Sequence, residues 1–271
     1  MTDILSYGFI QNAIWAGVLA SIACGIIGTL VVVNRIVFIS GGIAHTAYGG
    51  IGLAFFLGIS PLLGAGIFAV VAAVIMALIT LKDKNRSDTV IGVMWACGMA
   101  FGIILADLTP GYGVDLMSYL FGSILAVPDL DLIYMGVLDV FIIAYVLLYF
   151  RQIHAVSFDM EYATSMGVRS GIIYTVLLVM SALAVVLLIR VVGLILVIAM
   201  LTIPPYIAEK KVSSLKGMMI LSSILSLVFT LAGLYCAYVF NLTSGASIIA
   251  VSSVCFFLFI IYEKIRAVLR S

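Results

Sequence analysis

The sequence alternates between long apolar runs and short polar segments. Because the hydrocarbon core of a bilayer takes about 20 apolar residues per helix, each long run predicts a membrane-spanning helix. We therefore predict an all-α polytopic membrane protein in which residues 1–271 form a single transmembrane domain. The nine predicted spans cover residues 9–33, 39–58, 62–81, 89–106, 132–150, 171–189, 191–207, 217–240 and 246–262.

A further apolar stretch, residues 116–127, is too short to cross the bilayer and contains polar side chains. Its length of about 12 residues suits a re-entrant or interfacial helix. Treating it as a full span would also break the alternation of charged loops along the rest of the chain.

The basic residues fall on one side of this topology. If the loop 82–88 is cytoplasmic, all of the 13 Lys and Arg residues except Arg190 lie inside. Such a positive-inside pattern predicts an odd number of crossings, with the N-terminus outside and the C-terminus in the cytoplasm. The outer loops then carry Asp3, Asp107, Asp115, Asp129 and Asp131. These acids either form a mouth that concentrates cations or are simply tolerated there.

Composition narrows the class of protein. Hydrophobic residues make up 65% of the chain and charged residues 9%, whereas a soluble domain carries about 25% charged residues. No basic patch is interleaved with aromatic residues, so nucleic-acid binding is not supported. No P-loop sequence occurs, so any ATP that drives this protein must be bound by another subunit.

One of the two histidines, His45, lies in the second predicted span. On a helix it shares a face with Gly41, Gly42, Tyr48, Gly49 and Gly52. The opposite stripe, expected to meet lipid or apolar neighbours, consists of Ile43, Ala47, Ile51 and Phe55. Glycines let helices approach closely, so His45 is expected to face other helices or a cavity. It is either a functional residue or a hydrogen-bonding link between helices.

Asp139 is an acidic residue about one-third of the way into the fifth predicted span. A carboxylate at this depth is costly, so it is expected to face the protein interior or a water-filled path. A metal ligand, a packing partner and a neutralised acid all remain open interpretations.

Residues 157–168 predict a short amphipathic helix on the cytoplasmic side. Ser157 suits the cap, Asp159 and Glu161 suit the first turn, and Gly167 suits the end. An apolar ridge is formed by Phe158, Tyr162 and Met166 at i, i+4 and i+8. The helix lacks flanking lysines, which favours a partner protein over an anionic membrane surface as its contact.

Several of these segments together resemble the membrane permease subunits of ABC importers for zinc, manganese or iron. They are residues 40–53 (SGGIAHTAYGGIGL), 87–92 (SDTVIG), 115–127 (DLMSYLFGSILAV), 157–161 (SFDME) with 166–167 (MG), and 192–204 (VGLILVIAMLTIP). The resemblance covers almost the whole chain.

The resemblance implies a transport permease of the cytoplasmic (inner) membrane and not an enzyme. It implies a homodimer or a close heterodimer of permeases with membrane lipid around it, two cytoplasmic ATPases and an extracytoplasmic metal-binding protein. It also implies that the helix 157–168, with Phe158, Asp159, Glu161, Tyr162, Ala163, Met166 and Gly167, is the coupling helix that rests on the ATPase.

By the same resemblance His45 lies near the translocation path, but Gly41 stands where many members carry an aspartate. Two-fold symmetry would bring two copies of His45 together, with Asp139 or Asp115 as further candidate ligands. The metal is then transported cargo and no cofactor is permanently bound.

Two other functions are considered. The same architecture would also suit import of a metal chelate or a vitamin, because the many glycines would open a wide cavity. An intramembrane enzyme with His45 as its base is disfavoured, since no accompanying nucleophile or His-Glu-x-x-His pair is visible.

Overall fold

The computed structural model of the protein describes residues 8–82, 87–109 and 124–269. These ranges form α-helices and a single 3₁₀ turn at Ile124–Ala126, without a β-strand among them. In chain order the helices are α1 (Gly8–Val33), α2 (Val37–Leu57), α3 (Pro61–Lys82), α4 (Ser87–Asp107), α5 (Asp129–Phe158), α6 (Met160–Ser165), α7 (Ser170–Val192), α8 (Leu194–Glu209), α9 (Leu215–Phe240) and α10 (Ser244–Val268).

The predicted all-α membrane architecture is confirmed. Eight of these helices are long and apolar enough to cross a membrane, and α8 is a shorter apolar helix at the place of the seventh predicted span. With 16 residues, α8 is about 24 Å long, which is less than the bilayer core of about 30 Å. Two prolines, Pro204 and Pro205, lie within it.

The largest difference from the predicted boundaries is in α5. The sequence predicts a span that stops at residue 150, but the helix has 30 residues and continues to Phe158. Hydropathy falls at Arg151, yet residues 151–157 contain neither glycine nor proline, so nothing in the backbone stops the helix. At about 45 Å, α5 is longer than the bilayer core is thick. Its path bends at Tyr149, which has non-helical dihedrals.

Helix α2 lies in the middle of the bundle, packed against α3, α4, α7 and α8. Ile43, Ala47 and Ile51 are buried, so the bulky stripe of this helix meets apolar protein neighbours and not lipid. On its glycine face a Cβ atom added at Gly52 would overlap the backbone of Gly102 in α4. This close crossing holds α2 and α4 together along the face that also carries His45.

The predicted re-entrant helix at residues 116–127 lies almost entirely outside the described residues. Only the 3₁₀ turn at its end, Ile124–Ala126, is described. The candidate ligand Asp115 also lies outside the described residues.

Candidate translocation and coupling sites

His45 is buried in the contact between α2 and α4. Its ring stacks on the indole of Trp95, with centroids 3.8 Å apart and planes inclined by 14°. Its Nδ1 atom lies 3.2 Å from the sulfur of Met99, one helical turn further along α4. The expectation that the glycine face meets another helix is therefore confirmed, and the imidazole has an aromatic and a sulfur neighbour.

Gly41 lies on the same helix but beside a different neighbour. A Cβ atom added there would be 3.9 Å from Ile198 in α8, an ordinary van der Waals contact. A larger side chain at this position would consequently point towards α8, whereas His45 contacts α4. Trp95, Met99 and Ile198 are only half-buried, so the surface of the bundle is close to both positions.

Asp139 is buried in α5, which packs on α1 and α7. Its Oδ2 atom has no hydrogen-bond partner among the described residues. The expectation that this carboxylate faces protein is met, but α5 is not among the main packing partners of α2. Within the described ranges no group of three or more His, Cys, Asp or Glu side chains is placed to hold a metal ion. A role for Asp139 in the path stays a prediction.

Two of the acids predicted for the outer loops have close partners. Asp131 is buried, and its Oδ2 accepts a hydrogen bond from Arg190 Nε at 2.9 Å. Asp129 Oδ1 accepts one from the amide of Asn12 at 2.6 Å. The basic residue predicted to be alone on this side thus ties the end of α7 to the start of α5. Arg190 therefore offsets the charge of Asp131, whereas the neutral amide of Asn12 leaves the charge of Asp129 in place.

The predicted coupling helix is present as α6, Met160–Ser165, but its cap differs from the prediction. Ser157 does not cap it, because α5 continues through Phe158. Asp159 is the cap residue, and its Oδ1 accepts a hydrogen bond from the backbone N–H of Tyr162 at 2.9 Å. A carboxylate is well suited to this role because it also interacts favourably with the helix dipole.

The end of α6 follows the prediction. Gly167 has a φ of 83°, a left-handed conformation that favours glycine. The backbone N–H of Val168 donates to the carbonyl of Ala163, and that of Gly167 donates to the carbonyl of Thr164, each at 3.0 Å. This pair of bonds is a Schellman motif. The helix therefore has a defined start and end although it is only 6 residues long.

The apolar ridge is exposed. Phe158 is 68% exposed, Tyr162 62% and Met166 68%, while Ala163 on the opposite side is 1% exposed. The three ridge residues do not share one helix, since Phe158 ends α5 and Asp159 interrupts the helical path. Glu161 is exposed beside them.

Sequence reasoning did not assign roles to several residues around these sites. Trp95 and Met99 were missed because pairing between helices is not visible in a single sequence. His154 was also missed: it is exposed, and its ring centroid is 4.7 Å from that of Phe158. The spacing of Phe150, His154 and Phe158 at i, i+4 and i+8 was the available signal.

A large cavity opens beside α6, with a volume of about 920 Å³. It is lined by residues at the ends of several helices and the turns between them, including the charged side chains of Arg35, Asp88 and Glu209. Phe158 and Met160 form part of its wall. The first residue of the ridge, Phe158, therefore borders this cavity.

A bundle of apolar helices, eight of them long enough to cross a bilayer within the described residues, defines a multi-span membrane protein. Residues 6–263 match the ABC 3 transport family, and the chain belongs to that family. This confirms the resemblance to permease subunits of metal-ion ABC importers, a class that is not itself catalytic and works with ATPase and binding-protein subunits.

Three similar proteins illustrate the match. The chain is 48% identical over 264 residues to a membrane protein of Synechocystis sp., covering 97% of this chain and 94% of the relative. It is 33% identical over 268 residues to the manganese import system permease protein ScaB of Streptococcus gordonii, covering 97% and 95%. The solved structure of PsaBC from Streptococcus pneumoniae in complex with Fab superposes with a TM-score of 0.84 at 32% identity, covering 95% and 93%.

Proposed function

We propose that the chain is the permease subunit of an ATP-driven importer that moves a divalent transition metal, namely manganese, zinc or iron, across the cytoplasmic membrane. The observation that carries this proposal is the exposed ridge of Phe158, Tyr162 and Met166, which is formed by the end of α5, the capped helix α6 and the residue after α6. Exposed apolar side chains on a rigid short helix suit insertion into a groove of a partner protein. The partner in this proposal is the ATPase.

The proposed assembly contains two copies of the permease, two cytoplasmic ATPases and an extracytoplasmic metal-binding protein. The orientation that suits it has the N-terminus outside and the C-terminus inside, which puts α6 and the large cavity in the cytoplasm. The positive-inside distribution of Lys and Arg supports this orientation.

The proposed path runs along the side of α2 that carries His45 and Gly41. Because α4 and α8 flank these positions and are half-exposed there, a second copy covering this face would enclose them. His45 is the first candidate for contact with the passing ion. Asp139 and Asp115 are further candidates, and the metal is cargo and not a resident cofactor.

Two observations bear on the identity of the metal, and they favour different metals. The name of the relative from Streptococcus gordonii favours manganese. Among the described residues, the side chains found in contact with the His45 ring are Trp95 and Met99. The thioether of Met99 is a soft donor, whereas manganese prefers oxygen ligands. For this reason zinc and iron stay in the proposal.

The test is ATP-dependent metal uptake by the complete transporter in proteoliposomes. The permease is purified with its ATPase and binding protein, and uptake of manganese(II) is measured with and without ATP. Competition by zinc(II) and iron(II) then ranks the metals. Uptake of bare metal that requires ATP supports the proposal. Uptake of a metal chelate or a vitamin with no uptake of bare metal would instead support the alternative cargo.

A further inference from the structure

A hydrogen bond joins the end of the first helix to the segment that leads into α6. The side-chain amide of Asn34, the residue after α1, donates to the hydroxyl of Ser157 at 2.9 Å. The same nitrogen donates to the carbonyl of Leu30 within α1 at 2.8 Å. An amide nitrogen carries two hydrogens, so both bonds form together. Asn34 thereby fixes Ser157 to the last turn of α1.

Ser157 lies outside the proposed docking surface, in the last turn of α5. It directly precedes Phe158, the first residue of the exposed ridge, and Asp159, the cap of α6. A displacement of the ridge by a bound partner therefore acts on Ser157 first. Ser157 and Asn34 both line the large cavity.

Asn34 lies at the start of a tight turn that leads into α2. The backbone N–H of Ile36 donates to the carbonyl of Val31, and that of Arg35 donates to the carbonyl of Val32. Arg35 has a φ of 57°, so the turn is a Schellman motif with a left-handed residue. Since two backbone bonds fix its geometry, a movement of Asn34 is passed on to α2, which begins at Val37.

The other end of α6 is tied to α7 in a comparable way. Thr164 Oγ1 donates to Ser170 Oγ at 2.8 Å, and the Ser170 hydroxyl lies 3.3 Å from the carbonyl of Met160. Ser170 is buried. The short helix thus has one polar connection to α7 and one, through Ser157 and Asn34, to α1 and α2.

We propose that Asn34 is a positioning residue, which passes movement of the ATPase-bound helix α6 to the turn between α1 and α2 and so to the helix that carries His45. The inference rests on the proposed function, because it requires an ATPase on α6. Asn34 contacts neither metal nor ATP in this proposal. Its removal is expected to uncouple hydrolysis from transport.

The experiment measures manganese(II) uptake and ATP hydrolysis on the same proteoliposomes, which contain the permease, its ATPase and its binding protein. In Asn34→Ala and in Ser157→Ala, ATPase association and hydrolysis are expected to persist. The amount of manganese taken up per ATP hydrolysed is expected to fall about fivefold, as for loss of one hydrogen bond. The double variant is expected to be no worse than Asn34→Ala alone, because Asn34→Ala already removes the bond to Ser157 together with the bond to Leu30.

Two further variants separate this role from a structural one. Ser157→Thr keeps the hydroxyl and is expected to retain the wild-type ratio. Thr175→Ala removes a half-buried 2.8 Å hydrogen bond to the carbonyl of Gly171 that stays within one helix, and it is also expected to retain the ratio. If Asn34→Ala does not fold, the comparison of Ser157→Ala with Ser157→Thr still tests the link.

An unchanged ratio of uptake to hydrolysis in Ser157→Ala would overturn the inference. The inference would also be overturned if the falls in uptake per ATP hydrolysed caused by Asn34→Ala and by Ser157→Ala added together in the double variant. A wild-type transporter without ATP-dependent uptake would overturn the proposed function and the inference together. If the wild-type transporter shows ATP-dependent uptake and the Ser157→Ala variant takes up as much manganese per ATP hydrolysed as the wild type, only the inference about Asn34 is overturned.

Discussion

At the scale of single residues, Arg35 adopts a left-handed backbone conformation, with a φ of 57°, that residues other than glycine rarely adopt. Only glycine adopts the left-handed region without cost, and another residue is destabilised there by about 1 kcal/mol. Arg35 is held in this region by the turn that closes α1, where Ile36 is buried against the core. Arginine at this position is also one of the basic residues of the proposed cytoplasmic side.

Arg35→Gly is expected to stabilise the protein, because glycine fits the left-handed turn. Thermal unfolding in detergent should show a midpoint raised by about 2 °C. Asn241→Gly is the matched control, since Asn241 caps α9 with a φ of 54° and asparagine tolerates this conformation. It should change the midpoint less. A lower midpoint for Arg35→Gly than for the wild type would show that the turn is not strained.

At the scale of secondary-structure elements, α6 is the segment through which a partner is expected to bind. It has a cap at each end, one buried side at Ala163 and one exposed apolar ridge. Exposed aromatic anchors carry much of the binding energy in protein interfaces. The ridge is therefore the element whose alteration should most affect assembly with the ATPase.

Tyr162→Ala is expected to weaken association with the ATPase about 30-fold, as for loss of an aromatic anchor worth about 2 kcal/mol. Tyr235→Ala is the matched control, because Tyr235 is also 62% exposed but lies in the apolar helix α9. Titration of each purified permease variant with the ATPase measures the two affinities. Equal affinities of the Tyr162→Ala variant and the wild type would show that the ridge is not the docking surface.

The elements themselves were largely predictable, and the reasons for the exceptions are physical. Apolar runs identified the spans because a bilayer imposes their length. The end of α5 was missed because hydropathy reports where the membrane stops, and a helix can continue into water. The cap of α6 was placed at Ser157 because both Ser157 and Asp159 are good cap residues. Asp159 is the cap because α5 continues through Ser157 to Phe158.

At the scale of the whole molecule, the proposed orientation in the membrane rests on the distribution of Lys and Arg along the chain. The structure places α6, the large cavity and the turn after α8 at one end of the bundle, since Val212 and Ser213 line that cavity with Phe158. The bond between Asp131 and Arg190 lies where α5 begins and α7 ends. The proposed topology puts that bond outside and the cavity inside.

Cysteine accessibility in intact cells tests this orientation. In a cysteine-free background, Leu242→Cys lies in the exposed turn between α9 and α10 and should react with a membrane-impermeant reagent from outside. Ser213→Cys, exposed in the turn between α8 and α9, should react only after permeabilisation. Labelling of Ser213→Cys from outside, with Leu242→Cys reacting only after permeabilisation, would show that the topology is the reverse of the proposed one.

The candidate path was less predictable than the fold. The glycine face of α2 indicated that His45 meets a helix, but a single sequence does not show which helix. Stacking on Trp95 and the approach of Met99 depend on how α4 crosses α2. The hydrophobic pattern of a single sequence also does not show which surface would contact a second copy of the chain.

The most direct measurement for the central claim is ATP-dependent manganese(II) uptake by His45→Phe and His45→Ala transporters in proteoliposomes. Phenylalanine can stack on Trp95 but offers no nitrogen to a metal, so it separates packing from ion contact. The proposed path predicts that both variants assemble with the ATPase and lose uptake. Wild-type uptake by the His45→Phe variant would contradict it, because the histidine would then serve only to pack α2 against α4.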